Sequence, residues 1–232
     1  MTDTVKLDNK GKTLVIAHRG GSIQCENTVN AFEFAGHRSY FGIETDVHVT
    51  KDGKYVIYHD DSTGRLCDRD IVVEDSTFDE LRALKVRGEH VIPTLDEYLT
   101  AVAAHGKTAV VELKNKMTDE HIKNIVTACL DKLSPDKLIF ISFCFENLVS
   151  VRKILPNQTV QYLPSENSPD LLPKLVAHKF DIDAEYHALT AELVKALHSF
   201  GIKVNCWTCD DSADARRLIE WGVDYITTNV LE

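Results

Sequence analysis

Short runs of apolar and β-branched residues alternate along this chain with longer stretches whose apolar positions recur every three or four residues. The short runs lie at 14–17, 43–49, 55–58, 109–113, 138–142, 159–163, 180–184, 203–207 and 224–227, and are expected to be strands. The longer stretches, at 28–36, 95–105, 118–133, 145–155, 168–178, 190–200 and 212–221, have helical spacing. Thr118 and Ser168 stand where N-caps belong, and Gly106, Gly201 and Gly222 stand where helices stop. Repeated strand–helix units predict an α/β fold, with a parallel sheet covered by helices.

These nine strand candidates are one more than a closed eight-strand barrel needs. The surplus has a local explanation. Asp52-Gly53 is a two-residue hairpin signal, and it folds the 55–58 run back, antiparallel, on the run before it. What remains predicts a TIM-type (β/α)8 barrel with a β-hairpin and small insertion after the second barrel strand. The insertion is the charged, less regular stretch at about 61–93, expected near the barrel mouth. The sequence has no repeat, low-complexity tract or linker, and its 232 residues match one barrel, so residues 1–232 are expected to form a single domain.

Charge narrows the function. The formal net charge of −10 repels phosphate backbones and anionic lipid surfaces, so neither nucleic acid nor a membrane is the expected partner. The longest apolar runs, such as 138–145, are too short to span a bilayer, which argues against stable membrane insertion. Any phosphate-bearing substrate must therefore be held by local cations. The first twelve residues lack an apolar segment and read as no signal peptide. The six scattered cysteines do not suggest a disulfide framework, and a cytoplasmic protein with reduced thiols is expected.

The hairpin supplies geometry. With Asp52 and Gly53 as the turn, Lys51 faces Lys54 and Asp46 faces His59. Alternation puts Glu44 on the face of Asp46, with Ile43, Thr45 and Val47 on the other. A third acid, Glu112, closes an apolar strand at its C-terminal end, the functional face of a barrel, and Lys114 shares its side. Three converging carboxylates suit a hard divalent cation, Mg²⁺ or Ca²⁺. The first strand ends in His18-Arg19-Gly20-Gly21, where the glycines allow a sharp turn and Arg19 offers a fork that fits phosphate. His18 and His59 on opposite sides of a phosphodiester would supply an acid and a base.

These strings, in order, carry a resemblance. His18-Arg19-Gly20, Glu26-Asn27-Thr28, Glu44-Thr45-Asp46-Val47, Thr50-Lys51-Asp52-Gly53, His59-Asp60 and Glu112-Leu113-Lys114 are followed by Trp207-Thr208 and Asp224-Tyr225-Ile226-Thr227. Together they resemble the glycerophosphodiester phosphodiesterase family over nearly the whole chain. The resemblance implies a barrel enzyme that hydrolyses small-molecule glycerophosphodiesters to glycerol 3-phosphate and an alcohol. It implies His18 and His59 as the acid–base pair, Glu44, Asp46 and Glu112 as ligands of a divalent metal cation, Arg19 and Lys114 on the phosphate, and Trp207 beside the substrate. Departures from the family pattern fall at Cys25 (usually Pro), at Ser39-Tyr40-Phe41 and at Asn229, near which an acid is usual. None of them is expected to touch a catalytic or metal residue.

Other residues read as structural. His48 shares the face of Glu44 and Asp46 without a role in the pattern. Glu26 and Asn27 are expected to orient His18 or to cap the next helix. Cys206 and Cys209 form a CxxC, but on a strand these positions face opposite sides, so a redox or zinc role is not expected. Two competing functions remain. A lysophospholipase D or sphingomyelinase D-like enzyme would need an apolar rim, for which Phe143, Phe145, Trp207 and the insertion are available. A non-catalytic phosphodiester-binding protein would be expected to lack one of the catalytic residues.

Overall fold

The computed structural model describes residues 4–21, 25–165 and 168–232. In chain order the elements are β1 (Leu14–Ala17), α1 (Val29–Gly36), β2 (Gly42–Val49), β3 (Tyr55–Ile57), α2 (Phe78–Arg82), α3 (Leu95–Ala104), β4 (Thr108–Leu113), α4 (Asp119–Lys132) and β5 (Leu138–Ser142). They continue with α5 (Phe145–Ile154), β6 (Thr159–Tyr162), α6 (Leu171–His178), β7 (Asp181–Glu185), α7 (Ala191–Ser199), β8 (Val204–Trp207), α8 (Ser212–Trp221) and β9 (Tyr225–Thr228). Every strand but β3 pairs parallel with its barrel neighbours, in the order β1, β2, β4, β5, β6, β7, β8, β9. Pairing of β1 with both β2 and β9 closes the ring. The fold is a TIM-type (β/α)8 barrel, and β3 is the antiparallel arm that hangs on β2.

The alternation seen in the sequence separates two interiors. Ile43, Val47, Val111, Phe140 and Ile226 face outward and are buried with Phe32, Leu99, Ile125, Leu148, Val194 and Leu218 of the surrounding helices. Ile16, Val110, Ile139, Ile141, Leu163 and Tyr225 form a separate apolar cluster inside the barrel. Around it, on the same inward face, are buried polar side chains: Glu44, Asp46, Glu112, Gln161, Asp183, Asn205 and Thr227. Helix ends follow local chemistry. Thr118 accepts from the His121 N–H, Thr94 and Thr77 form capping boxes with Glu97 and Glu80, and Gly222 closes α8 in the left-handed region. Ser168 is not the cap of α6. That helix starts later, after Asp170, and Ser168 accepts from the Asp170 N–H in the preceding turn.

The hairpin departs from the expected register. Val47 pairs with Ile57, His48 with Val56 and Val49 with Tyr55, so Tyr58, not His59, comes opposite Asp46. The cause is the turn. Thr50 and Lys54 bracket a loop of three residues, Lys51, Asp52 and Gly53, with Gly53 at φ +75°. Thr50 Oγ1 accepts from the Lys54 N–H at 2.9 Å and donates to Asp52 Oδ1 at 2.6 Å, which stabilises the wider turn. Three-residue loops with glycine in the left-handed position are a standard alternative to the two-residue turn.

Residues 61–93 pack on a small core of their own. Val56 and Tyr58 of the hairpin meet Leu66, Val73, Leu81, Leu84, Val86 and Ile92 there, away from the barrel core. None of the helices of the described residues is long and apolar enough to cross a membrane.

Candidate active site

Parallel register places the acids. Asp46 on β2 pairs with Glu112 on β4, two residues along from the pairing of Glu44 with Val110. Carboxylate oxygens of Glu44, Asp46 and Glu112 all lie within 4.8 Å of one another, and all three residues are buried. Burial drives Glu44 well above the usual carboxylate range, and Asp46 and Glu112 add to it. Burial and the Asp46 charge push Glu112 up to about 7. Asp46 goes the other way: burial opposes ionisation, but Lys114, Arg19 and His59 hold it below the usual range. An acidic trio of which two members resist ionisation is a site short of positive charge. A hard divalent cation fits that donor set, with oxygen ligands only.

Two cations border the trio. Lys114 Nζ is 2.8 Å from Glu112 Oε1 and 3.4 Å from Asp46 Oδ1. Arg19 sits in the turn after β1 with φ +52°, and its backbone N–H donates to Glu44 Oε2 at 2.8 Å. Its guanidinium donates to Glu26 at 2.7 Å and passes 3.6 Å from Asp46, with the buried Nε lacking a hydrogen-bond acceptor. The turn needs glycine next: Gly20 has φ +78°, and a Cβ there would meet the Ala31 backbone at 2.8 Å.

The histidines arrive from two loops. His18 follows β1 directly, and His59 lies just past the end of β3, carried there by the hairpin's continuation rather than by the ladder. Each is held by its Nδ1. Asn229 turns its amide nitrogen to Asp210 Oδ2 at 2.7 Å, so its Oδ1 is the atom 2.9 Å from His18 Nδ1. That oxygen only accepts, so His18 Nδ1 carries the hydrogen and Nε2 keeps a free lone pair. Burial, reinforced by the Arg19 charge, brings His18 down to about 4 despite the Asn229 bond. His59 Nδ1 is 2.6 Å from Asp60 Oδ1, and Arg65 Nε donates to the other Asp60 oxygen at 2.6 Å. Burial also lowers His59, against the pull of Asp46.

His18, Arg19, Glu44, His59, Glu112 and Trp207 line one cavity of about 190 Å³, with Phe143, Ile141, Leu163, Thr208, Thr227 and Asp183. A more open cavity of about 440 Å³ adjoins it and adds Asp60, Asp61, Lys114 and Asn115. Trp207 contacts Phe143 edge-on at 5.8 Å between centroids, and its Nε1–H donates to the Asp183 carbonyl. The aromatic pair thus gives the cavity an apolar part to its wall. A separate 340 Å³ cavity, lined by Leu171, Leu172, Leu189, Leu193 and Leu197 outside the barrel, has no titratable side chain among the described residues that line it.

Several expectations change. Glu26 neither orients His18 nor caps α1: it bridges Arg19 and Arg65, while the cap is Thr28. Asn27 does not reach His18 either. Its amide donates to Asp46 Oδ2 at 2.7 Å and accepts from Thr45 at 2.8 Å. The expectation that the departures from the family pattern stay clear of the reacting groups fails at Asn229, the partner of His18. Its position just beyond β9, at the C-terminal mouth of the barrel, was the available signal. Asp183 was also missed. It is buried in β7, raised well above the usual range by burial and by Glu112, with Oδ1 lacking a hydrogen-bond partner. His48 has its ring nitrogens at Glu74 and the His59 carbonyl. β8 ends at Trp207, so the CxxC is not all on the strand, yet both thiols are buried and free.

Comparison with known proteins identifies the family. The model of the glycerophosphoryl diester phosphodiesterase family matches residues 18–232. A glycerophosphodiester phosphodiesterase of Caldanaerobacter subterraneus is 31% identical over 94% of this chain and 94% of its own. One from Bacillus subtilis is 29% identical over 94% of this chain and 84% of its own. Among solved structures, an Oleispira antarctica phosphodiesterase in complex with its product sn-glycerol-3-phosphate superimposes with a TM-score of 0.87 at 28% identity, covering 94% of this chain and 93% of that one. The chain belongs to the glycerophosphoryl diester phosphodiesterase family and is an enzyme of that class.

Proposed function

We propose that the protein hydrolyses glycerophosphodiesters to glycerol 3-phosphate and an alcohol, with Glu44, Asp46 and Glu112 holding a divalent cation, Mg²⁺ or Ca²⁺. The observation that supports this reading is the cluster of three buried carboxylates, two of which, Glu44 and Glu112, line the same cavity as both imidazoles. The bound cation would draw charge from the phosphoryl group. Arg19 would bind a phosphoryl oxygen through its fork, and Lys114 another. His18 and His59 would act as the acid–base pair, one taking a proton from the attacking oxygen and the other giving one to the leaving oxygen. Trp207 and Phe143 would exclude water from one side of the substrate. Residues 1–232 would work as one domain, with the 61–93 insertion forming part of the rim.

The test is enzyme-coupled detection of glycerol 3-phosphate from glycerophosphocholine, with Mg²⁺, with Ca²⁺ and with EDTA. Release that needs a cation is the expected result. Faster cleavage of lysophosphatidylcholine than of glycerophosphocholine would move the assignment to a lysophospholipase D. Absence of turnover on both, with every cation, would leave only a phosphodiester-binding role.

Asn229 and Asp210 belong to the same reading as positioning residues. Asn229→Ala removes the acceptor that fixes the His18 tautomer and ring plane, while leaving the cavity lining intact. A fall of about 10- to 100-fold in kcat is expected, with KM changed little. An unchanged kcat and pH profile would mean that His18 needs no such support.

A further inference from the structure

We propose that this protein carries a second metal site, for a borderline transition-metal ion such as Zn²⁺, formed by Glu33, His37 and His105 on its outer surface. Ligand atoms of these three residues lie within 4.8 Å of one another, the same closeness that marks the acidic trio in the barrel. The donors differ. Two imidazole nitrogens and one carboxylate oxygen suit Zn²⁺, Ni²⁺ or Cu²⁺, whereas oxygen-only sets suit Mg²⁺ and Ca²⁺. Tetrahedral Zn²⁺ with bonds of about 2.0–2.1 Å needs its ligands roughly 3.4 Å apart, which small side-chain rotations would achieve here. Three protein ligands leave the fourth position for water.

The local structure prepares each ligand. Glu33 and His37 are four residues apart and so share a face at the end of α1. His37 Nδ1 lies 2.9 Å from the Glu33 carbonyl oxygen, which can only accept, so Nδ1 carries the hydrogen and Nε2 presents its lone pair. This is how the orientation of metal-binding histidines is usually fixed. His105 caps the C-terminus of α3, and its Nε2 is 2.8 Å from Glu33 Oε2. A cation would take the place of the hydrogen now between them. The two rings approach to 4.5 Å between centroids.

His105 is held rather than loose. A Cβ on Gly36 would fall 2.2 Å from His105 Cδ2, so the ring lies directly on the only residue type that leaves room for it. Its side chain is 18% exposed. Both histidines follow the last residues of their helices, α1 and α3, where unpaired carbonyls favour a cation. Lower down, the same two helices meet through Phe32 and Tyr98, edge-on at 4.9 Å. An ion at the Glu33 site would therefore clip together the ends of two helices already packed against each other. None of the three residues lines the reaction cavity.

The experiment is calorimetric titration of ZnSO₄ into the full-length protein after EDTA stripping, in saturating Mg²⁺ so that the acidic trio is masked. Wild type is compared with His37→Ala, His105→Ala and Glu33→Gln. Zn²⁺ binding by wild type, weakened at least about tenfold in each variant, is expected. Tm should rise with Zn²⁺ in wild type and not in His37→Ala, whose exposed side chain is the least disruptive to remove. Phosphodiester turnover should be the same in all four proteins. Equal Zn²⁺ stoichiometry and affinity in wild type and variants would overturn the proposal, as would no binding by wild type. Co²⁺ gives a second readout: visible absorption that disappears in His105→Ala supports imidazole ligation, and absorption unchanged in that variant rules it out.

Discussion

Replacing His59 by Ala is expected to lower kcat on glycerophosphocholine by about 10²- to 10⁴-fold, and replacing His18 to do the same. Both imidazoles line the cavity and each has its Nδ1 engaged, so each offers only Nε2 to the substrate. Loss of either would interrupt the same proton itinerary. The double variant is therefore expected to be little worse than the poorer single one, as with residues that act as a unit. KM should move much less, since Arg19 and Lys114 remain for the phosphate. Steady-state kinetics by the glycerol 3-phosphate assay measures all three variants, with circular dichroism to check that each is folded. A His59→Ala enzyme retaining more than about a tenth of its kcat would remove His59 from the chemistry.

Glu44→Gln has two expected effects of opposite sign. Turnover falls by roughly 10²- to 10⁴-fold, because a cation site that loses one of three charged ligands forfeits several kcal/mol of transition-state stabilisation. The folded protein, stripped with EDTA, becomes more stable. Burial and the charges of Asp46 and Glu112 raise Glu44 above its ordinary value of 4.5. A carboxyl raised in the folded state holds a proton that the unfolded chain has released, so stability falls as pH rises from 4.5 upward. Below 4.5 the penalty is absent. Gln does not titrate and can still accept from the Arg19 N–H, so the Tm difference between variant and wild type should widen from pH 4.5 to pH 8. Saturating Mg²⁺ or Ca²⁺ should reverse the order, because only the three-carboxylate site gains from the ion. A wild type as stable in EDTA as the variant at pH 8 would show that the trio carries no strain of charge.

What could be read in the sequence followed from local periodicity. The two-residue alternation of a strand is set by the backbone, so Glu44 with Asp46, and Glu112 with Lys114, could be assigned to shared faces before any contact was known. Helix caps at Thr118 and Gly222 are equally local. The hairpin register was less secure. A choice between a two- and a three-residue turn rests on side-chain bonds of Thr50, and it moved His59 off the ladder. His59 reaches the cavity nonetheless, guided by Asp60 and Arg65 rather than by pairing. Contacts between strands far apart in the sequence left no local trace. Asn229 and His18 are 211 residues apart, and Asp183 is an acid on a short strand until the ring closes around it.

The bridge from Asp60 through Arg65 and Glu26 to Arg19 has a consequence for durability. Arg65 belongs to the segment that rests on the small core of Leu66, Leu81 and Ile92, while Arg19 belongs to the barrel. Cooperative units of a protein open at different free energies, and a small core opens at less cost than a large one. When that unit opens, the latch on the His59 loop goes with it, although the barrel strands remain paired. Heat should therefore silence the enzyme before it melts, and the lifetime of catalysis will be set by the rim rather than by the frame.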